Sequence, residues 1–471
     1  MPRPLFLALA PLILCLAAAP AGAADERPNL LFFIADDLAW DDLGAYGHPH
    51  IRTPNIDRLA AEGLRFDRAF LTCSSCSPSR SSIITGRYPH STGAEALHWP
   101  LPAEQVTFVE RLKQAGYHTA QAGKWHLGDA VRDRFDTVAD GGEAMVETLR
   151  DRPRDKPFFM WFAFHDPHRP YQRGAIATPH TREDVVVPSY LPDLPEVRDE
   201  LALYYDEISR LDELLGRVLA ELASQGVADN TLILLTSDNG RPFPRCKTTV
   251  FDSGIHAPFI VRWPAKVAPG GSTMSLVSSI DIAPTFLELA GLPVTPNFQG
   301  VSFAPILADP GATVREHVFA EHNWHDYTAH KRAVRDANFK YIRNAYPDLP
   351  GTPPADAVKG DAFQAMLRLR DEGKLDERFE ECFVAPRPEE ELYDLSADPD
   401  EHHNLAADPK YAKVLAELRA RLTDWKLATG DRVPELRTPD DFDRRTGDRL
   451  RRRGGLNFRS PIREQRVDAT Q

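Results

Sequence analysis

The sequence predicts an α/β protein in which a buried sheet is covered by helices on both faces. Three apolar runs, at residues 29–34, 157–164 and 231–235, are each long enough for a central strand. Segments with helical spacing separate these runs, and such alternation is typical of an α/β sheet. Each run ends in polar or charged residues. In such a sheet the carboxyl ends of the strands are the usual place for a functional site.

The first 23 residues are predicted to be a secretory signal peptide. Arg3 precedes an apolar run at residues 5–19, and Ala21-Gly22-Ala23 suits cleavage after Ala23. That run is too short for a membrane span, and no other run in the sequence is long and apolar enough. We therefore expect an exported protein, periplasmic or secreted, with no membrane span.

Composition excludes some classes of protein. The 471 residues are 42% hydrophobic and 27% charged, which is ordinary for a globular enzyme, and the formal net charge is −13. Because nucleic-acid-binding proteins are normally basic, we expect no nucleic-acid partner. An anionic substrate would need a local basic pocket.

Two adjacent carboxylates follow the first apolar run. Asp36 and Asp37 would repel each other at the end of a buried strand, and a cation would relieve that repulsion. Asp238 and Asn239 follow the third run in the same way. Oxygen ligands suit a hard cation such as Ca²⁺ or Mg²⁺. The alternative for the first pair is a solvated turn.

A helix is predicted beside Cys76. Pro78 fits the first turn of a helix and Gly86 fits its C-cap. Cys76 should therefore lie just before a helix N-terminus, where unpaired N–H groups and the helix dipole favour an anion or a nucleophile. Arg80, one turn further on, should point back toward the same place. The alternative is that Cys76 is a small packed hydrophobe.

Further elements follow in order. Thr53 and Pro54 suit the start of a helix, and residues 107–115 form another that Gly116 ends. After a short strand at 117–121, Lys124 and His126 flank Trp125 and should point to one side of an extended segment.

The second apolar run delivers His165 and His168 at its end. Residues 198–225 have helical apolar spacing, and residues 281–291 form a helix with a glycine stop.

The motifs resemble those of the type I sulfatases. The string Cys76-Ser77-Pro78-Ser79-Arg80, followed by Thr85-Gly86-Arg87, resembles the family signature, and Gly-Lys-Trp-His-Leu-Gly at 123–128 resembles its second motif. The strings at 53–60 and 391–405 are also similar to sulfatase sequences. These motifs occur in family order, so the resemblance covers nearly the whole mature chain.

The resemblance implies a fold and a division of the chain. The family fold is an alkaline-phosphatase-like mixed sheet sandwiched by helices, with a smaller C-terminal α+β subdomain that carries an antiparallel sheet. We expect a signal peptide at 1–23, a catalytic domain at 24–314 and the subdomain at 315–431. The Arg-rich segment at 432–471 is expected to be mobile or to cover a partner subunit in a homodimer.

The resemblance also implies the chemistry. A formylglycine-generating or maturase enzyme would oxidise Cys76 to formylglycine, an aldehyde whose hydrated form attacks sulfur. The implied ligands of one Ca²⁺ are Asp36, Asp37, Asp238, Asn239 and the residue at Cys76. With Cys76 modified, Cys73, Cys246 and Cys382 can form at most one disulfide.

Roles for five further side chains follow from the same resemblance. Arg80 and Lys124 would orient the nucleophile, and His126 would take a proton from it. His168 and Lys247 would grip the sulfate and protonate the leaving atom.

Three strings resemble the heparan N-sulfatases (sulfamidases) within the family, at 73–80, 163–169 and 237–244. The sulfamidases carry Arg where Lys247 stands, whereas most O-sulfatases carry Lys, which donates a proton more readily. The expected reaction is removal of sulfate from N-sulfated glucosamine at the end of a heparan-type glycan. The alternatives are an O-sulfatase of another polysaccharide, a metal-dependent phosphohydrolase of the same fold and an inactive sugar-binding relative.

Substrate-binding residues are expected on loops. A polar cluster near the start of the last domain suits a saccharide subsite, with a solvated loop as the alternative; it consists of His322, His325, Asp326, His330 and Arg332. His165 is assigned to the substrate as well, or to orienting a neighbouring residue.

Overall fold

The computed structural model describes residues 27–450. The predicted signal peptide and residues 451–471 of the predicted tail lie outside this range. Between residues 27 and 450, no helix is both long and apolar enough to cross a membrane.

The N-terminal part contains ten strands, which are β1 (Asn29–Ala35), β2 (Leu64–Phe66), β3 (Ala69–Phe70), β4 (His118–Gly123), β5 (Thr137–Ala139), β6 (Phe158–Ala163), β7 (Thr231–Ser237), β8 (Ile260–Arg262), β9 (Gly271–Thr273) and β10 (Val277–Ser278). Eight of them form one mixed sheet in the order β5-β4-β6-β1-β7-β8-β2-β9. The first five in this order are parallel, and β8 runs antiparallel to both its neighbours. A separate parallel pair joins β3 and β10.

Helices cover both faces of this sheet. The helices of this part are α1 (Pro54–Ala61), α2 (Cys76–Thr85), α3 (Phe108–Gln114), α4 (Glu143–Asp151), α5 (Pro195–Ser224), α6 (Asp252–Ile255), α7 (Ile282–Leu289) and α8 (Ala304–Ala308). Alternate residues of β1 point to opposite faces. Leu31 and Phe33 pack with α1, α4 and α5, whereas Leu30 and Phe32 pack with α2, α3, α7 and α8.

The C-terminal part carries the smaller sheet. Its strands β11 (Val318–His322), β12 (Lys331–Arg335), β13 (Phe339–Asn344) and β14 (Glu390–Asp394) are antiparallel in chain order. Its helices are α9 (Ala355–Val358), α10 (Asp361–Asp371) and α11 (Ala412–Thr429). Apolar residues of α11, including Leu418 and Trp425, pack on Val334 and Leu392 of the sheet. The predicted α/β fold with a smaller antiparallel subdomain is therefore confirmed.

Two local predictions need correction. Cys76 is the first residue of α2, with Ser75 as its N-cap, so it lies within the first turn and not before it. Thr53 is the N-cap residue of α1 as expected, but its side chain makes no capping hydrogen bond, because its hydroxyl donates to the Asp57 carboxylate at 3.0 Å and accepts from the Gly44 N–H.

The described part of the Arg-rich tail lies against its own chain. The backbone N–H of Asp441 donates to the Asp326 carbonyl, and the Thr328 hydroxyl donates to the Thr438 carbonyl. The side chain of Arg444 donates to the Thr328 carbonyl at 3.1 Å. These hydrogen bonds hold residues 432–450 against their own chain, and the expected contact with a partner subunit stays a prediction.

Candidate active site

The predicted cation ligands meet at the carboxyl ends of β1 and β7. These strands are neighbours, with Ala35 opposite Ser237, so the residues that follow them are brought together. The backbone of Asp37 has a positive φ of 76°, which turns the chain sharply after β1. Oxygen atoms of Asp36, Asp37 and Asp238 and the Cys76 sulfur all lie within 4.8 Å of one another. Each carboxylate is at most 1% exposed.

The surroundings of Asn239 fit a cation at this cluster. Its Nδ2 lies 2.9 Å from Asp37 Oδ1, 2.6 Å from Asp238 Oδ1 and 3.4 Å from Cys76 Sγ, while its buried Oδ1 has no hydrogen-bond partner among the described residues. Rotation of the amide by 180° exchanges these two atoms. The oxygen would then face the carboxylates as a fourth oxygen donor. Oxygen donors of this kind suit a hard divalent cation.

Three basic side chains neutralise the three carboxylates. Arg80 contacts Asp238 at 2.7 Å, Lys247 contacts Asp37 at 2.7 Å, and Lys124 pairs with Asp36. Burial alone would raise the pKa of Asp36, but Lys124, His168 and Arg80 hold that pKa well below its usual value. Burial raises the pKa of Asp238 to about 6 despite the opposing charge of Arg80. Charged pairs this deeply buried require close mutual contact.

Cys76 faces this cluster from the start of α2. Its sulfur is 3.7 Å from Asp36 Oδ1, and the side chain is 2% exposed. Burial raises the pKa of the thiol to about 12, in spite of the lowering effect of Lys124 and Lys247. The thiol is therefore protonated at neutral pH.

Lys124 reaches the cluster because β4 passes close to β6. Gly123 has a φ of +87°, and a Cβ at this position would lie 2.0 Å from the Ala163 carbonyl oxygen. The Lys124 N–H donates to that same oxygen at 2.8 Å. Only glycine permits this approach.

His126 lies two residues further on and contacts a second histidine. Its Nε2 is 2.8 Å from His98 Nδ1. Burial, together with the charges of Lys124 and Arg80, lowers the pKa of His126 to about 2. His126 is therefore neutral at physiological pH.

His168 follows β6 and stands between two carboxylates. Its Nδ1 lies 2.6 Å from the Arg169 carbonyl, an acceptor only, so Nδ1 carries the hydrogen that is donated there. Its Nε2 lies 3.8 Å from both Asp37 Oδ2 and Asp356 Oδ2. The second ring nitrogen is therefore the one available for proton transfer.

Several of these side chains line one open cavity of about 570 Å³. Predicted residues on its wall are Cys76, Lys124, His126, His168, Lys247, His325 and Asp326. Of the predicted substrate residues, His325 is fixed by a 2.7 Å contact between its Nδ1 and Ser75 Oγ. Asp326 accepts a hydrogen bond from the Ala355 N–H at 2.9 Å.

The structure does not bring the other predicted substrate residues to this cavity. His330 and Arg332 line a separate, small cavity of about 40 Å³, and the Arg332 guanidinium is paired with Asp431 at 2.7 Å. His322, the remaining member of the polar cluster, is buried at the end of β11 and also does not line the active-site cavity. His165 is exposed in a third cavity beside Asp166 and Arg210.

Several wall residues were not predicted. They are Leu97, His98, Ala355, Asp356, Lys359, Phe442 and Gly447. No motif or periodicity marks them, because each reaches the cavity only through the tertiary fold. The cysteines outside the site, Cys73, Cys246 and Cys382, are buried and free, so residues 27–450 contain no disulfide.

Comparison with known proteins identifies the family. A sequence profile described as Sulfatase matches residues 28–146 and 138–292, more than half of the chain. The chain belongs to the sulfatase family. It is therefore a hydrolase, and sulfatases of this family generally use formylglycine and a divalent metal ion. A second profile, described as N-sulphoglucosamine sulphohydrolase, C-terminal, matches residues 246–349 of this sulfatase.

The sulfatases to which this chain is similar are named after different substrates. Human N-sulphoglucosamine sulphohydrolase is 33% identical over 476 residues, which cover 89% of this chain and 93% of the human protein. An ulvan-active sulfatase of Formosa agariphila is 32% identical over 459 residues, covering 86% of this chain and 76% of that protein.

Solved structures share the fold. A protein crystallised with its substrate D-glucosamine-2-N,6-O-disulfate has a TM-score of 0.66 and 23% identity, covering 87% of this chain and 99% of that chain. A sulfatase of glycosaminoglycan metabolism from Bacteroides thetaiotaomicron also has a TM-score of 0.66. It is 22% identical, and the match covers 86% of this chain and 100% of that chain.

Proposed function

We propose that this sulfatase removes sulfate from N-sulfated glucosamine at the end of a heparan-type glycan, with a formylglycine made from Cys76 and one Ca²⁺ ion. The proposal rests mainly on one observation. Cys76 lies within a cluster of three carboxylates, at a cavity whose wall also carries proton-transfer groups, among them His126 and His168.

The state of the Cys76 thiol supports its modification. A thiolate is the nucleophilic form of cysteine, and a pKa of about 12 leaves this thiol protonated. Without a bound cation, an unmodified Cys76 is therefore a poor nucleophile. Formylglycine at this position would supply an aldehyde whose hydrate provides an oxygen nucleophile for sulfur.

The carboxylate cluster supports the cation. Asp36, Asp37, Asp238 and Asn239 would hold Ca²⁺ through oxygen, together with the modified residue 76. The cation would supply positive charge beside the nucleophile and the sulfate.

The remaining side chains are placed for orientation and proton transfer. Lys124 and Arg80, both paired with ligand carboxylates, would hold the sulfate and the nucleophile in position. Neutral His126 would accept a proton from residue 76. His168, through Nε2, and Lys247 would give a proton to the leaving atom, a step worth roughly 10²–10⁴-fold each.

Two relatives support the substrate class. Human N-sulphoglucosamine sulphohydrolase aligns over nearly its whole length, and the profile of its C-terminal part spans Lys247, His325 and Asp326 on the cavity wall. The substrate in one solved relative carries both an N-sulfate and a 6-O-sulfate. Phe442 and Gly447 add to the wall that would surround the proposed glycan end.

O-sulfate hydrolysis is the second candidate. Lys247 stands where sulfamidases carry Arg, and relatives include an N-acetylglucosamine-6-O-sulfatase of Bacteroides thetaiotaomicron. The relatives named here are sulfatases, so the phosphohydrolase alternative is not favoured.

The first test is the mass of the peptide that contains Cys76, from active protein expressed in its own host. A loss of about 18 Da relative to cysteine is expected when an aldehyde replaces the thiol. An intact thiol in active protein would overturn the proposed nucleophile. Rates on glucosamine N-sulfate and glucosamine 6-sulfate then decide between the two candidate substrates.

Export and assembly belong to the same proposal. We expect a periplasmic or secreted protein, matured by a formylglycine-generating or maturase enzyme, and a homodimer in solution. Fractionation of the host and light scattering of the purified protein test these points.

A further inference from the structure

Asp356 is the acidic side chain of the cavity wall that lies nearest the proposed proton donor. It belongs to the short helix α9, and its Oδ2 is 3.8 Å from His168 Nε2. Its Oδ1 accepts a hydrogen bond from the Ala357 N–H at 2.8 Å, whereas no described residue donates a hydrogen bond to Oδ2. One carboxylate oxygen is thus fixed by the backbone and the other faces the cavity.

The position of Asp356 is held by other residues of the site. The carboxylate of Asp326 accepts from the N–H of Ala355, the first residue of α9, at 2.9 Å. The Asp356 side chain is 33% exposed, and it lies on the cavity wall. Burial alone would raise the pKa of Asp356, but Lys247, His168 and Arg169 lower it, so the carboxylate is ionised at neutral pH.

The charge of the leaving group differs between the two candidate reactions. Hydrolysis of an N-sulfate, R–NH–SO₃⁻ + H₂O → R–NH₃⁺ + SO₄²⁻, breaks the N–S bond, forms an S–O bond and gives a cationic ammonium at neutral pH. Hydrolysis of an O-sulfate, R–O–SO₃⁻ + H₂O → R–OH + HSO₄⁻, gives a neutral alcohol. Only the first product carries a positive charge at the atom that leaves sulfur.

A carboxylate beside the proton donor would bind the ammonium product more strongly than the alcohol product. The leaving atom must come within hydrogen-bond distance of His168 Nε2 or Lys247 Nζ to receive its proton. An ammonium group formed there would lie within reach of Asp356 Oδ2, and charge-assisted hydrogen bonds to carboxylates are stronger than neutral ones. An alcohol formed at the same place gains less from the negative charge.

We propose that Asp356 is a specificity residue that favours nitrogen over oxygen as the leaving atom by binding the ammonium group released from an N-sulfated sugar. This inference rests on the proposed function, since it concerns the substrate of the same site. It assigns Asp356 a contact with the product, in addition to any effect on the charge of His168.

The test compares wild type, Asp356→Asn and the control Asp361→Asn, all as full-length Ca²⁺-loaded protein. Asp361 lies five residues further on at the exposed start of α10, away from the cavity, so its substitution controls for the loss of one negative charge. Calorimetry measures the binding of glucosamine and of glucose to each protein. Steady-state kinetics measure kcat/KM on glucosamine N-sulfate and on glucosamine 6-sulfate.

Wild type and Asp361→Asn should bind glucosamine at least tenfold more tightly than glucose, and Asp356→Asn should lose most of this preference. Asp356→Asn should also lower kcat/KM for the N-sulfate about tenfold more than for the 6-sulfate. Equal losses on both substrates with unchanged glucosamine binding would overturn the proposal and leave Asp356 acting through His168 alone.

The binding measurement separates this inference from the proposed function. If wild type hydrolyses only the 6-sulfate, the proposed function fails, while the glucosamine preference still decides the role of Asp356. If wild type binds glucosamine no more tightly than glucose, the inference about Asp356 fails even when the N-sulfate is hydrolysed.

Discussion

The Nδ1 atom of His98 lies 2.8 Å from the Nε2 atom of His126, so the two imidazoles share one hydrogen bond on the wall of the active-site cavity. Both residues have a positive φ, 64° for His98 and 51° for His126. The backbone N–H of His98 also donates to Ser77 Oγ at 2.8 Å, which ties the pair to the helix that begins with Cys76. His98 therefore fixes the ring orientation of His126.

Replacement of His98 by Ala should reduce kcat by about tenfold to a hundredfold, because His126 loses the contact that orients it. His126→Ala should cost more, roughly 10²–10⁴-fold, since it removes the proposed proton acceptor itself. Exposed His50 supplies the control, and His50→Ala should leave kcat unchanged. Steady-state rates equal to wild type for His98→Ala would contradict this role.

Addition of Ca²⁺ to chelator-treated protein should raise its thermal stability. A ligand that binds only the folded state at about 100 times its Kd stabilises that state by about 2.7 kcal/mol. Asp37→Asn should remove most of the gain, because it deletes one charge of the buried cluster. Asp129, whose side chain is 97% exposed, provides the matched control Asp129→Asn. A melting temperature that does not respond to Ca²⁺ would argue against the cation site.

Gly123→Ala should destabilise the protein by more than about 2 kcal/mol and reduce activity, because the new Cβ would overlap the Ala163 carbonyl and displace Lys124. Gly116 has a similar φ of +90°, but a Cβ added there would meet no atom within 4 Å. Gly116→Ala should therefore cost only about 1–2 kcal/mol from backbone strain. Urea unfolding of both variants measures the difference, and equal losses would show that the close approach of β4 to β6 is not what requires glycine.

Asp431→Asn should destabilise the protein by about 3 kcal/mol at pH 7, since it leaves the buried Arg332 guanidinium without its carboxylate partner. Burial alone would raise the pKa of Asp431, but Arg332 lowers it to about 2. The contribution of the ionised carboxylate is therefore complete above about pH 4, the usual aspartate pKa, and is lost as the pH falls through about 2.

Denaturant unfolding measured from pH 7 to pH 2 tests the contribution of the ionised Asp431 carboxylate to the free energy of unfolding. The difference between wild type and Asp431→Asn should shrink below pH 4, whereas exposed Asp424 gives the control Asp424→Asn with little effect at any pH. A difference that persists unchanged at pH 2 would show that the ion pair is not its source.

The meeting of the carboxylates beside Cys76 was predictable because short-range patterns determine it. The apolar runs of β1 and β7 identify buried strands, and adjacent parallel strands place Asp36 and Asp238 at one edge of the sheet. Pro78 and Gly86 likewise define the helix that presents Cys76.

The residues expected to bind the substrate were harder to place, because their positions depend on pairings between distant segments. The expected polar loop includes strand β12, in which Arg332 pairs in register with Glu321 and Arg343. Its guanidinium is turned toward Asp431 and away from the cavity. Asp356 reaches the wall through α9, a helix of four residues that carries no recognisable signal.

The walls of the cavity come from positions far apart in the chain, from Cys76 to Phe442 and Gly447. During translation, the residues of the carboxylate cluster leave the ribosome at least about two hundred residues before Phe442. A nascent or proteolytically shortened chain therefore lacks part of the cavity wall even when it already contains all residues of the carboxylate cluster.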